Sequence, residues 1–530
     1  MKHGNLPATL RMTALVGVLA TASLVAPPVY SSTTVTAVMQ AGLRVMDPVF
    51  STAFLTRDHG YMIYDTLLGM DEEFKIRPQM AEWSVSDDER TYTFRLREGL
   101  AWHDGVAVTA EDCVASIERW MSVDGTGQIL RSFVDSIDTV SADTFEIRLV
   151  KPTGLLLSGL SKLSSRPAFM MPKRIAATPG SEAITEFIGS GPFIFVQKEF
   201  RPGVKAVYAR NPNYRPRQEP SSWTAGGKVV NVDRVEWVAM PDAMTGVNAL
   251  LSGEVDFVQQ IPVDLLPLLD ADSDIKVDTI DELGNWTYFR FNHLYPPFND
   301  RRLREAAMLA IDQKQVLQAL IGNDEYTRTC PTTLGCGNPY ESDYRHDDVV
   351  KPQLEKAEAL LKEAGYDNTP VIVLHPTDMA TVSPQPVVIA DGLRKAGFNV
   401  QLKTMDWQSV IMQQGNQASP ADGGWNIFST YSTLATSGDP FGNTTIASNG
   451  KQAWAGWPDI PEIEALRKEF ASTTDEAGRK SIALRINELA IDHGVVVPLG
   501  QFNIPAAYRS VLSDVPHAPV TVFWSIKKND

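Results

Sequence analysis

Cys330 and Cys336 enclose a short loop, TCPTTLGCG, that contains Pro331 and Gly335. In an oxidising compartment this spacing suits a local disulfide. A metal site would need further soft ligands nearby, and the sequence offers none. His346-Asp347-Asp348 has a weak capacity to hold a cation and reads more simply as a solvated loop. The other histidines (His3, His59, His103, His293, His375, His493 and His517) are scattered. Neither HExxH nor GxSxG occurs. Gly226-Gly227-Lys228 lacks the upstream glycine and the following hydroxyl residue of a phosphate loop. GSGP at Gly189–Pro192 places a proline where a phosphate-facing amide is wanted. Carboxylates are too numerous for one acid/base pair to stand out. Cys113, in the helical segment EDCVASIERW, reads as a buried free thiol. The chemistry-bearing residues therefore argue against catalysis, against a bound metal and against any cofactor.

The chain that must position them has 530 residues, of which 43% are hydrophobic and 21% charged. That is ordinary for a globular protein of two to four domain-sized units. The formal charge of −16 makes nucleic-acid binding improbable. Lys2 and Arg11 precede an uncharged stretch, Met12 to Ala26, which Pro27 and Pro28 break. A basic start, an apolar centre and small residues after it describe a secretory signal peptide over 1–32. Cleavage is placed near Ser31 or at Ala22. The apolar run is short for about 30 Å of hydrocarbon. No cysteine lies near it to carry a lipid anchor, so a periplasmic location is expected.

Strand-like and helix-like segments alternate along the rest of the chain. Tyr92, Phe94 and Leu96 alternate with polar residues, as do Phe145, Ile147 and Leu149, which predicts two half-buried antiparallel strands. Between them Thr109 is a good N-cap for AEDCVASIERW. GSGPFIFVQKEF, VKAVYARNPNY and VDRVEWVAM read as sheet segments. ELGNWTYFRFN is aromatic and extended. NDRRLREAAMLAIDQKQVLQALIG reads as a helix capped by Asn299 or Asp300. VIVLHP, VVIADGLRKAGF and NVQLKTMDW form a βαβ-like unit. GGWNIFSTY predicts another strand, followed by a long polar loop, and VVVPLGQFNIPAAYR returns to strand.

YDTLL, RPQMAEW, SDD followed by TYTFRLREG, WHDG and TAEDCVAS follow one another between Tyr64 and Trp120. GSGPF, FNDRRLREAAMLAID, EKAEALLKEAGY and VVVPL come later in the chain. In that order these pieces closely resemble the family 5 extracellular solute-binding proteins of ABC importers, the dipeptide, oligopeptide and nickel group. The resemblance implies an α/β, two-lobed periplasmic-binding-protein fold with mixed sheets, an extra domain and a hinge between the lobes. It implies lobe I near 33–72, 186–281 and 500–530, an extra domain at 73–185, and lobe II at 282–499. The hinge crossings are expected near Leu283–Phe291 and Val495–Gln501. Such proteins close on a ligand by hinge motion. The implied partners are a small-molecule or peptide-like ligand and the permease subunits of an inner-membrane transporter. The implied protein is a monomer and is not an enzyme. A sensor or chaperone-like binding protein on the same scaffold and a secreted hydrolase are the alternatives.

In dipeptide-binding relatives an Asp in a W-x-x-D-x-x-D-P-like loop pairs the ligand amine, and an Arg after a strand holds the carboxylate. The similar loop here runs from Trp425 to Asp439-Pro440, with Thr436 three residues before Asp439. At the strand end VIVLHP, His375 or Thr377 stands where the Arg is expected. Both end-group ion pairs are thus expected to be missing. Unpaired ligand charges are costly to bury, so a free-end dipeptide is disfavoured. Trp286, His375, Trp407, Trp425, Tyr431, Thr436 and Asp439 are the expected ligand contacts. Trp286 and Tyr288 alternate with Asn285 and Thr287, so one face of that strand is expected to meet the cleft. The segment Ala41–Phe50 is either cleft lining or a tight turn at Asp47-Pro48. Trp454 and Trp457 are left open between a surface pair and lobe packing.

Overall fold

The computed structural model describes residues 33–529, together with Met1 and Gly4. The signal peptide expected over 1–32 otherwise lies outside the described residues. Among the described residues no helix is long and apolar enough to cross a membrane.

Thr34–Met39 buries Val35, Ala37, Val38 and Met39, and it lies centrally in a seven-stranded mixed sheet. It pairs in parallel with Arg234–Ala239 on one side and with Phe257–Val258 on the other. Lys205–Arg210 and Phe193–Phe195 extend the first side. Ala506–Arg509 and Ile275–Asp278 extend the second.

A six-stranded sheet is built around Asn285–Phe291. This strand is antiparallel to both neighbours, Ile427–Thr433 and Val497–Phe502. Val371–Pro376 and Val400–Met405 follow on one side, parallel to each other, and Thr327–Arg328 closes the other. Six of the seven residues of Asn285–Phe291 are buried, as expected for a strand covered on both faces. Phe289 and Phe291 enter one core, while Trp286 and Tyr288 enter another.

The chain passes between the two sheets over Asp278–Asn285 and again over Phe502–Ala506. The second crossing falls later than the sequence suggested. Val497–Phe502 pairs along its length in the six-stranded sheet, so a boundary at residue 500 would cut a strand.

A four-stranded antiparallel sheet occupies the region between Ala81 and Leu149, in the order Ala81–Val85, Thr91–Leu96, Thr144–Leu149, Val134–Thr139. Phe94 stacks on Phe145 with centroids 5.1 Å apart. The helix Ala110–Val123 covers this sheet with Cys113, Ile117 and Trp120, all fully buried. Thr109 and Asp112 form a complete capping box at its start. The single helix expected after Asp300 is two helices, Arg301–Leu309 and Gln313–Leu320. Asp312 divides them by accepting from the backbone N–H groups of Lys314 and Gln315.

Candidate functional site

Parallel strands end on the same side of a sheet, and two of them gather part of the predicted site. His375, near the end of Val371–Pro376, pairs in register with Thr404 on Val400–Met405. Trp407 opens the next helix, and its backbone N–H donates to the Asp378 carboxylate at 2.7 Å. His375 and Trp407 are half-buried, and His375 Nδ1 has no hydrogen-bond partner.

The neighbouring strand Ile427–Thr433 is offset, because Val373 is level with Ile427. Its end therefore projects toward the crossing, where the Leu434 N–H donates to the Gly284 carbonyl at 3.0 Å. This places Tyr431 and Thr436 beside the crossing. Tyr431 meets Phe502 edge-on, with centroids 5.6 Å apart. The Thr436 hydroxyl lies 3.0 Å from that of Thr433. Asp439 sits in the following turn. One carboxylate oxygen accepts from the N–H groups of Phe441 and Gly442, and the other lies 3.6 Å from Arg479. Its charge is answered within the protein.

Trp425 is elsewhere. The stretch from Trp425 to Asp439 is not one loop, since Ile427–Thr433 lies inside it. Trp425 precedes that strand, roughly 25 Å from Thr433 at the usual strand rise. It is fully buried against Phe428 and Trp457. The sequence aligned the loop on a tryptophan that is core.

Trp286 is fully buried and stacks on Tyr288 at 4.4 Å. Arg290 follows on the same face, since side chains two apart share a face. Opposite these three, across the sheet, stand Ser432, Thr430 and Phe428. Trp454 covers the row. Its ring meets Tyr288 edge-on, and the Arg290 guanidinium lies 5.0 Å from its centroid. Trp454 thus packs within the lobe, and Trp457 joins the Trp425 cluster.

The seven-stranded side contributes an ionic group that sequence reading missed. Arg57 and Asp58 form a buried pair at 2.8 Å, and Asp58 Oδ2 has no partner. Burial pushes the Asp58 carboxyl up, against the opposing effect of Arg57. Asp281, in the first crossing, is pushed up to about 6, chiefly by burial. Within Ala41–Phe50 the chain turns at Asp47-Pro48, where the Ser51 N–H donates to the Asp47 carbonyl at 3.0 Å and the Asp47 side chain is buried. Its carboxylate pairs with Arg119 at 2.7 Å and accepts from the N–H groups of Val49 and Ile184. No spacing in the sequence announces these pairs, whose members are distant in the chain or adjacent without a motif.

A cavity of about 590 Å³ lies at the other end of the Asn285–Phe291 strand, away from the crossing. His293, Arg304, Trp457, Asp459, Glu462 and His493 are among its lining residues. It coincides with no predicted site residue. Among the described residues no group of three or more His, Cys, Asp or Glu side chains could hold a metal ion.

Comparison with known proteins decides the family. The profile described as "Bacterial extracellular solute-binding proteins, family 5 Middle" matches residues 75–454. The chain belongs to this family. The protein named "Probable peptide ABC transporter periplasmic-binding protein y4tO" of Sinorhizobium fredii is 40% identical over 491 residues, covering 92% of each chain. The dipeptide-binding protein DppE of Bacillus subtilis is 26% identical over 472 residues, covering 83% of this chain and 80% of DppE. The solved structure of the ABC transporter substrate-binding protein CtaP of Listeria monocytogenes matches the fold with a TM-score of 0.79 at 20% identity. That match covers 94% of this chain and all of CtaP. Members of family 5 are solute-binding components that work with ABC permeases, so this chain is a transport component and not an enzyme.

Proposed function

We propose that this protein is the periplasmic receptor of an importer for peptide-like solutes and encloses its ligand between the two large sheets. The observation that carries the reading is the pair of crossings, Asp278–Asn285 and Phe502–Ala506, with Tyr431, Thr433 and Thr436 gathered beside the first. Two adjacent crossings let the sheets rotate about a common line, which is how such proteins open and close. The lobes follow the sheets: 33–72 with 186–281 and the C-terminal residues after Phe502, against 282–502, with 73–185 inserted. The closed form docks on the permease as a monomer released by signal cleavage, without a lipid anchor.

The peptide class is supported by the name of the 40%-identical relative, a probable peptide ABC transporter periplasmic-binding protein. The ligand is not a simple free-end dipeptide. Asp439 is already matched by Arg479, and no arginine stands at the end of Val371–Pro376. Both ligand termini would be buried without partners there, a costly arrangement.

The test is thermal unfolding of the mature, ligand-stripped protein against free and end-blocked peptides of two to five residues. A ligand at 100 times its Kd adds about 2.7 kcal/mol. End-blocked peptides are expected to stabilise at least as well as free ones. Stabilisation by free dipeptides alone would overturn the reading of the ends, and none by any peptide would overturn the peptide class.

A further inference from the structure

Among the described residues five arginines are buried: Arg57, Arg119, Arg290, Arg304 and Arg479. Four of them have acceptors or an acid at hand. Arg57 pairs with Asp58 and donates to the Leu163 carbonyl. Arg119 pairs with Asp47 and donates to the carbonyls of Thr178 and Glu182. Arg304 donates to the carbonyls of Phe298 and His493, and Arg479 lies against Asp439.

Arg290 differs from all of these. Its Nε, Nη1 and Nη2 are buried, and none has a hydrogen-bond partner. Its neighbours are the Trp454 ring and the backbone of Gly456, where a Cβ would lie 3.2 Å from Nε. Attraction to an aromatic face offsets only part of the cost of burying a cation. That cost is visible in the guanidinium itself, which burial pulls down to about 10. The same strand face ends in another unanswered donor, the indole N–H of Trp286. Acceptor-only groups are missing from this row, which consists of Trp286, Tyr288 and Arg290 with Ser432, Thr430 and Phe428 opposite.

A buried, unpaired cation with an unanswered indole N–H on the same face and no carboxylate in the row is complementary to an anion. We propose that Arg290 is the recognition point for a carboxylate of the ligand, reached when Trp454 turns aside. This inference rests on the solute-binding reading and narrows it to acidic peptide-like ligands. Because the ligand's ends are read as unpaired, the carboxylate is that of an acidic side chain, and capture of the C-terminus is the rival outcome the experiment separates. Trp454 is suited to the role of cover. It is half-buried, and the loop that carries it turns through left-handed backbone at Gly456 and Trp457. The ligand carboxylate then replaces a ring face with charge-assisted hydrogen bonds.

The experiment is calorimetric titration of the ligand-stripped full chain with Ala-Glu-Ala and Ala-Gln-Ala, N-acetylated, each with a free and an amidated C-terminus. One charge-assisted contact to a buried arginine is expected to favour the carboxylate-bearing member by roughly 10–100-fold. A preference for glutamate over glutamine is expected, and a preference for free over amidated ends with none for glutamate would overturn the inference. Arg290→Met is expected to bring the acidic-to-neutral ratio close to one. Arg290→Lys, which keeps the charge and serves if the first variant fails to fold, is expected to keep part of it. Equal binding of acidic and neutral members by the unaltered protein would overturn the inference and leave the peptide reading standing. An acidic preference that survives in Arg290→Met would also overturn it. If none of the four peptides binds, the wider panel of free and end-blocked peptides decides the peptide reading. Glutarate then tests Arg290 directly, and a thermal shift with glutarate that Arg290→Met does not abolish, or no shift, overturns the inference too.

Discussion

A methyl group added at Gly189 would sit 1.8 Å from the carbonyl oxygen of Ile63. Three sequence pieces that carried the family resemblance meet at this point. Gly189 belongs to GSGPF, and Ile63 immediately precedes YDTLL. His103 of WHDG donates its N–H to the Gly189 carbonyl at 2.8 Å. Gly189→Ala must push these backbones apart, and overpacking of this kind costs about 1–3 kcal/mol, more where hydrogen bonds break. Close by, Asp65 of YDTLL and Lys228 form a fully buried ion pair at 2.7 Å. Tyr214 donates its hydroxyl to the same carboxylate. Lys228→Met would leave the carboxylate buried without its cation, at a cost of about 3–5 kcal/mol. Urea unfolding measures both variants. A Lys228→Met protein within 1 kcal/mol of the unaltered one would show that the ion pair does not hold this joint together. These motifs thus build the joint between the first sheet and the inserted segment rather than the ligand site.

Elements were legible wherever one local rule decided them. Thr109 announced its helix because a hydroxyl at an N-cap answers a free backbone N–H, and the capping box is present. The alternation around Phe94 and Phe145 announced strands because period two is the pleat. The split at Asp312 was missed because the apolar helical face continues across it, and only the aspartate's bonds to two N–H groups break the helix. The site was less legible for the same kind of reason. Trp425 stands just before, and Tyr431 within, the strand Ile427–Thr433, and which end reaches the crossing depends on its register with a strand about 55 residues earlier. Arg290 was passed over because an arginine in a strand carries no signal until its burial is known. The disulfide loop was readable and has a structural consequence. Cys330 and Cys336 are joined, with Cα atoms 5.8 Å apart. The loop delivers Leu334 to the core that holds Trp286. Closing so short a loop contributes about 2 kcal/mol in the chain-entropy account. The double variant Cys330→Ser/Cys336→Ser is therefore expected to lose about that much in urea, and the unaltered protein should lose a similar amount when reduced. Full stability after reduction would show that the packing around Leu334 holds the loop without the bond.

The response of the whole molecule to acid is set by opposing buried groups. His59 is fully buried between Tyr208, whose hydroxyl lies 2.9 Å from Nδ1, and Phe195. Burial pulls it down to about 3, against weaker opposing effects from the Met46 backbone and Asp47. His103, held against Gly189 and Gly191, is pulled down to about 4 by burial. The unfolded chain protonates both near 6.5. Between that pH and about 4 the unfolded state binds more protons, so stability falls as the pH falls through this window. Asp281 acts in the opposite sense. Its carboxyl is raised to about 6 in the fold, so its contribution is present at low pH and is lost as the pH rises through 6. His59, His103 and His293, which burial also pulls down, should outweigh the raised carboxyls of Asp281 and Asp58. The first of these carboxyls keeps some exposure and accepts two backbone N–H groups. The urea midpoint is therefore expected to fall steadily from pH 7 to pH 4. His59→Gln should flatten that fall, because glutamine has no proton to bind in either state. Asp281→Asn should instead raise the midpoint above pH 6 and leave it nearly unchanged at pH 4. Because Asp281 lies in a crossing, the same variant should make ligand affinity less dependent on pH near 6. A midpoint that rises on acidification from 7 to 4 would mean that the crossing carboxyl, and not the buried imidazoles, governs the stability of the protein.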